Sequence, residues 1–213
     1  MSERSARRRF PVPHRGGHQH FDRPRSESYD RLARWTLRGL YRQVAREVAA
    51  VAPRDGRVLD IGTGPGRLLH ELAAVRPDLA LAGVDVSADM VALGERAARE
   101  RGLADRIVLR TGDVAGLPEP DGGADVVVTT LSMHHWPDLP AAAAELERVL
   151  RPGGHLMVYD FRFAPLRRAE SALRARPRFA ASRVRRGSLR PGWNPFPWYA
   201  RLVLRGGRDG GKG

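Results

Sequence analysis

The stretch Val58–Arg67, VLDIGTGPGR, runs an apolar strand into three glycines within five positions. Glycine-rich turns of this kind let the main chain approach a nucleotide closely. The dinucleotide-binding fingerprint reads G-x-G-x-x-G. Here Gly62-Thr63-Gly64-Pro65-Gly66 reads G-x-G-x-G, and Arg67 stands where the third glycine would be. The strand also carries Asp60 just ahead of the turn. A carboxylate at that point repels a pyrophosphate and attracts a ligand with an ammonium or sulfonium.

Outward from this turn, strand and helix patterns alternate. Arg57–Ile61 reads as a strand and Arg67–Val75 as a helix with Leu68, Leu69, Leu72 and Val75 inward. Leu79–Val84 is a strand, and Ser87 caps a helix over Ala88–Arg101 that Gly102 ends. Ile107–Thr111 and the nearly all-apolar Asp125–Thr130 are strands, the latter as expected when both faces are covered. Leu139–Leu150 is a helix closed by Arg151-Pro152-Gly153-Gly154, and His155–Phe161 is a strand. The regular alternation predicts an α/β fold with a Rossmann-like, doubly wound, mostly parallel sheet and helices on both faces. Leu166–Ala175 reads as a short helix, and Ser182–Leu189 with Tyr199–Arg205 as a closing antiparallel pair, packed by Trp193, Phe196, Trp198 and Tyr199. Upstream, apolar residues from Leu32 to Val51 recur at helical spacing, so Ser28–Val51 is a helix ended by Pro53-Arg54-Asp55-Gly56.

Ligands of such sheets sit at the carboxyl ends of the strands. Two further acids fall there. Asp85, in GVDVS, suits two ribose hydroxyls, and Asp113, in TGDV, can accept from an adenine amino group. Three acids on successive strand ends surround a cationic nucleoside, S-adenosylmethionine.

The run VLDIGTGPG, GVDVS, TGDV, VVVTTLSMHHWPD and LRPGGHLMVYD resembles the successive motifs of class I S-adenosylmethionine-dependent methyltransferases, across Val58 to Asp160. The branch it most resembles is the small-molecule enzymes similar to ubiquinone/menaquinone C-methyltransferases. The resemblance implies a seven-stranded sheet with an antiparallel last strand. It implies Asp60, Gly62, Thr63, Gly64 and Gly66 around the methionine moiety, and Asp85 with Val86 at the ribose. It also implies Met90, Gly112, Asp113 and Val114 at the adenine, and Thr130 and Leu131 under the methionine amine. Tyr29 matches a tyrosine that related enzymes fold over the cofactor. The implied organisation is a basic disordered tail at 1–25, a helical segment over the cofactor site at 26–56, a methyltransferase domain at 57–205 and a flexible tail at 206–213. Related enzymes usually carry a substrate cap; here the span after Asp160 is short and Arg-rich.

Methyl transfer needs a base only where the acceptor carries a proton. His134 and His135, just after the fourth strand, are the candidates, since imidazole titrates near neutrality. Packing is the competing role for both. Trp136 is a candidate wall of the substrate pocket. His14, His18 and His20 sit in a Pro/Gly-rich tail and suggest no metal.

Cysteine is absent, which excludes disulfides and thiolate chemistry and suits a cytoplasmic protein. No apolar run reaches the roughly 18 residues a membrane span requires, and no apolar segment follows the basic N-terminus as in a secretory signal. The charge of +13 is uneven: +7 over residues 1–56, −6 over 57–160 and +12 over 161–213. Basic flanks can touch nucleic acid, so an RNA acceptor is an alternative to a small molecule, as is cofactor binding without catalysis. The loop after the fourth strand, Thr129-Thr130-Leu131-Ser132-Met133, lacks the Asn/Asp-Pro-Pro-aromatic pattern of enzymes acting on exocyclic base amines. With no cysteine, cytosine C5 chemistry is excluded as well. Oligomeric state is not legible.

Overall fold

The computed structural model describes residues 23–190 and 198–207, with side chains from residue 37 onward. The chain forms two compact units, Met1–Arg34 and Trp35–Gly213. The described part of the first is the opening of helix α1 (Arg23–Val51). The helix thus begins five residues before the expected start at Ser28, and residues 23–25, expected in the tail, are helical. Pro24 is compatible with this, because the first turn of a helix needs no proline N–H.

The second unit carries five parallel strands, β1 (Arg57–Ile61), β2 (Ala80–Asp85), β3 (Ile107–Thr111), β4 (Ala124–Thr130) and β5 (Leu150–Phe161). The intervening helices are α2 (Arg67–Val75), α3 (Ala88–Glu100) and α4 (Leu139–Val149). Then come α5 (Leu166–Arg174), α6 (Pro177–Ala180), β6 (Arg185–Leu189) and β7 (Tyr199–Arg205). The sheet has seven strands in the order β3-β2-β1-β4-β5-β7-β6. β7 runs antiparallel to both its neighbours. Among the described residues it is therefore the one reversed strand and the last strand, as expected.

Alternate residues of each central strand feed opposite helical layers, the period-two rule of extended chain. Val58, Val126, Val128, Met157 and Tyr159 pack with Leu40, Val44 and Val48 of α1 and with Leu68 and Leu72 of α2. Leu59, Val127, Leu156 and Val158 pack with Leu146 and Val149 of α4, Leu173 of α5 and Phe179 of α6. This double burial is why β4 reads as a continuous apolar run.

Two elements depart from expectation. β5 starts at Leu150 rather than His155, because its pairing with β4 shifts register between Ala124 and Val126 and resumes at Val126 opposite His155. The RPGG turn is absorbed into the strand as that irregularity. The four-residue α6 was not expected; it is too short for a periodic signal. Trp198 also differs: it precedes β7 and is more than half exposed instead of packing the final strands. Trp193 and Phe196 lie outside the described residues.

Candidate functional site

The strand order reverses between β1 and β4, and the carboxyl ends of these strands open into a crevice there. Asp60, one residue before the end of β1, is 2 % exposed. Its Oδ2 accepts from the Thr63 hydroxyl at 2.8 Å, while its Oδ1 is buried without a partner. Burial pushes its carboxyl from 3.8 up to about 7; the Asp85 carboxylate adds to this and the Thr63 hydroxyl opposes it. Burial, and then Asp60, push Tyr41 of α1 up to about 12. Thr129 and Thr130, at the end of the neighbouring β4, also bury hydroxyl oxygens without partners. A buried polar atom without a partner is costly and rare. Asp60 and Thr130 share one face of the sheet and Thr129 takes the other; a carboxylate oxygen and a hydroxyl without partners beside the turn suit a polar, cationic ligand.

The glycine turn closes over β2. Gly62 and Thr63 both donate to the Val84 carbonyl, at 2.8 and 3.1 Å. Gly62 has φ 67°, and a Cβ there would collide with the Ser132 side chain, so only glycine is accommodated. Gly64 faces open space and donates its N–H to Asp85 Oδ2 at 2.7 Å. The other Asp85 oxygen accepts from Ser87 N at 2.9 Å. Two main-chain donors thus fix the Asp85 carboxylate, and each oxygen retains capacity for one further donor.

A cleft of about 450 Å³ brings together Gly62, Asp85, Val86, Gly112, Asp113, Val114, Leu131, His135 and Trp136. Half of the expected cofactor contacts, and the expected substrate wall, therefore line one concavity. Leu131 holds φ 57°, unusual for leucine, and donates its N–H to the Tyr159 carbonyl at 2.8 Å. A bulky residue held there costs on the order of 1 kcal/mol or more. Met90, on α3, is exposed and outside the cleft lining. Asp60, Thr63, Gly64, Gly66 and Thr130 do not line it either; they lie on β1, on β4 and in the turn. Tyr29 falls in the part of α1 whose side chains lie outside the described residues.

The two histidines separate. In the 3-10 turn Met133–His135, His135 lines the cleft while His134 faces the end of β5. His134 Nδ1 lies 2.8 Å from Asp160 Oδ1, and His134 N donates to Asp160 Oδ2 at 3.0 Å. Asp160 is fully buried and accepts a further N–H from Phe161 at 2.8 Å. A carboxylate accepts, so this contact favours the neutral tautomer with the proton on Nδ1. Asp160 was not singled out from the sequence. Nor was Ser132, whose hydroxyl accepts from Trp136 Nε1 at 3.1 Å, nor Glu119. Glu119 is almost fully buried and accepts from Arg57 and Arg110, which pins the β3–β4 connection that carries Asp113.

Comparison with known proteins agrees with this architecture. Residues 58–154 match the methyltransferase domain family. The chain is 35% identical over 139 residues to a demethylmenaquinone methyltransferase of Thermus thermophilus, covering 65% of this chain and 61% of that protein. It is 40% identical over 119 residues to a nocamycin O-methyltransferase of Saccharothrix syringae, covering 54% of this chain and 42% of that one. The chain thus spans less than two thirds of the length of these relatives. Among solved structures, a Methanococcus maripaludis protein assigned as an S-adenosyl-L-methionine-dependent methyltransferase superposes with a TM-score of 0.70 at 20% identity, over 91% of this chain and 96% of that one. The [4+2]-cyclase SpnF superposes with a TM-score of 0.66 at 22% identity, over 78% of this chain and 82% of that one. The sheet order, the glycine turn and the sequence match together make residues 58–154 similar to the methyltransferase domain family, in a fold shared with these solved structures.

Proposed function

We propose that the protein transfers a methyl group from S-adenosylmethionine to a small-molecule acceptor at the β1–β4 crevice, in a cytoplasmic setting. The observation that carries this reading is Asp60, a buried carboxylate with an unpartnered oxygen beside a turn of glycines. Such a group is costly unless a cation satisfies it. The similar proteins named for demethylmenaquinone and nocamycin support a small-molecule acceptor. A fold shared with a cyclase leaves the reaction to be argued from the site.

In this reading Asp60 with the Gly62–Gly66 turn and Thr130–Leu131 holds the methionine end. Asp85 and Val86 hold the ribose, Gly112, Asp113 and Val114 the adenine edge, and Met90 and Tyr29 flank the site. When bound, S-adenosylmethionine supplies a methyl carbon on positive sulfur, and the carbon–sulfur electron pair stays with sulfur when an acceptor takes that carbon. The chain's own share is to align the acceptor and exclude water, and alignment can lower a barrier by roughly 7–11 kcal/mol. His134 takes the acceptor's proton on Nε2, and Asp160 holds the ring in the tautomer that permits it.

Calorimetry tests the cofactor assignment. S-adenosylmethionine and S-adenosylhomocysteine should bind in the micromolar range, and Asp85→Ala should weaken both by at least about tenfold, since hydrogen bonds to a charged group are worth roughly 1.5–3 kcal/mol. NAD bound in place of either ligand would overturn the reading.

A further inference from the structure

We propose that the rim formed by the ends of β5, β7 and β6 is a peripheral docking surface for an anionic lipid bilayer. The Phe163 ring enters the headgroup layer there, and the arginines around it pair with lipid phosphates. Among the described residues no helix is long and apolar enough to cross a membrane, so the contact is a surface one. It goes beyond the methyl-transfer reading and does not depend on it.

Strand register builds the rim. Phe161, the last residue of β5, pairs with Tyr199, the first of β7, and Tyr199 pairs with Leu189, the last of β6. Adjacent strands lie about 4.8 Å apart. The residues just outside these three ends therefore meet at one edge of the fold: Arg162 and Phe163 after β5, Trp198 before β7 and Arg190 after β6. Arg162 N donates to the Trp198 carbonyl at 3.0 Å, which ties the β5 and β7 ends together. α5 opens a few residues on, with Arg167 and Arg168 in its first turn. The crevice opens at the same, carboxyl-end rim, since β4 and β5 run parallel.

Phe163 is 78% exposed and Trp198 55%. Phe161, itself packed on the core, stacks on Phe163 at 5.0 Å with 6° between the planes, so the exposed ring has one face covered and its orientation set. Exposed apolar side chains grouped at an edge and rimmed by charge mark an interaction site. The charge here is one-sided. After Asp160 the chain has 13 arginines, one lysine and two acids, Glu170 and Asp209. Glu170 is buried and held by Arg174 and Arg186. Arg162, Arg167, Arg168 and Arg190 are exposed. Among the described residues none of these four makes an ion pair; those of the region are made by Arg174, Arg176, Arg186 and Arg201. Unengaged guanidinium groups pair well with phosphates. A nucleic-acid backbone accounts for the guanidiniums alone. An anionic bilayer accounts for the rings as well, because aromatic side chains settle at headgroup depth while arginines reach the phosphates beside them.

The test uses the full chain and two kinds of vesicle, phosphatidylcholine alone and phosphatidylcholine with about one third phosphatidylglycerol, at about 0.1 M salt. The chain should sediment with the anionic vesicles and bind the neutral ones at least about tenfold more weakly. Phe163→Ala should weaken anionic-vesicle binding about tenfold. Arg167→Gln combined with Arg168→Gln should weaken it about 25-fold, roughly fivefold for each basic side chain near the surface. Melting temperatures of these variants should match the parent's, since the three side chains are exposed. The chain has no cysteine, so Phe163→Cys carries a single polarity-sensitive fluorophore. Its emission should move to the blue on anionic vesicles, while the same label on Ala104→Cys, ahead of β3 at the opposite rim, should not change. Equal binding to both vesicle types, binding to neither at millimolar lipid, an unaltered Phe163→Ala, or unchanged emission at position 163 overturns the surface. So does a single-stranded oligouridylate that strips the chain from vesicles at submicromolar concentration and binds Phe163→Ala more weakly, which assigns the rim to nucleic acid instead.

Discussion

Asp60 lets a single carboxyl report on the site. Its proton is held in the folded protein up to about pH 7, against an ordinary value of 3.8, chiefly because burial penalises the charged form. A raised folded-state value means the folded protein binds more protons than the unfolded chain between those limits. The contribution of Asp60 to stability is therefore lost as pH rises through that window. Relative to the parent, Asp60→Asn should raise the melting temperature of the cofactor-free protein increasingly from pH 5 to pH 8, and it should weaken S-adenosylmethionine at pH 8. Parallel melting curves against pH would contradict this. His134 and His135 are separable in the same manner. His134→Gln should lower turnover by about 100-fold or more, within the range general-base catalysis supplies, with cofactor affinity preserved. His135→Gln, on the cleft wall, should chiefly alter cofactor affinity. Asp60 was legible because one strand-end acid before a glycine turn is a local pattern. Asp160 was not, because its partner lies 26 residues away and the two meet only through the parallel pairing of β4 with β5.

At the scale of elements, strands and helices were legible wherever burial imposes a period. The β1, α2, β3 and β7 spans fall where their apolar residues place them. The start of β5 and all of α6 were hidden, the first by a register irregularity and the second by its length. The anchoring of α1 was equally hidden. Glu47 accepts from the Tyr159 hydroxyl at 2.9 Å and from Arg201 at 2.6 Å, across separations of 112 and 154 residues. Within α2, His70 is buried with an unpartnered Nε2, and burial, with Arg101 adding, holds it below the ordinary imidazole value. For a base with a lowered folded-state value, stability is full above about 6.5 and is lost as pH falls through that value. His70→Gln should therefore flatten the fall in melting temperature between pH 7 and pH 5; an unchanged fall would assign it to other groups, His155 among them.

For the whole molecule, the acidic middle and basic flanks belong to different parts of the fold. Asp85 and Asp113 line the crevice and Asp60 lies near the end of β1, whereas four C-terminal arginines are held by carboxylates, Arg174 and Arg186 on Glu170, Arg176 on Glu147 and Arg201 on Glu47. Paired in this way they are weaker anchors for a phosphate backbone. RNA binding measured across a salt series should accordingly be weaker than micromolar near 0.15 M salt, and binding tighter than that with a steep salt slope would point to a nucleic-acid acceptor. The position of β7, between β5 and β6, bears on how the molecule is made. Synthesis proceeds from the N-terminus, so β1 to β4, which bear the glycine turn and Asp85, can pair while the rest is still being translated. β5 has no outer neighbour, and β6 no neighbour at all, until residues 199–205 have left the ribosome and slid between them. The β5 side of the crevice is thus the last part of the sheet to be completed.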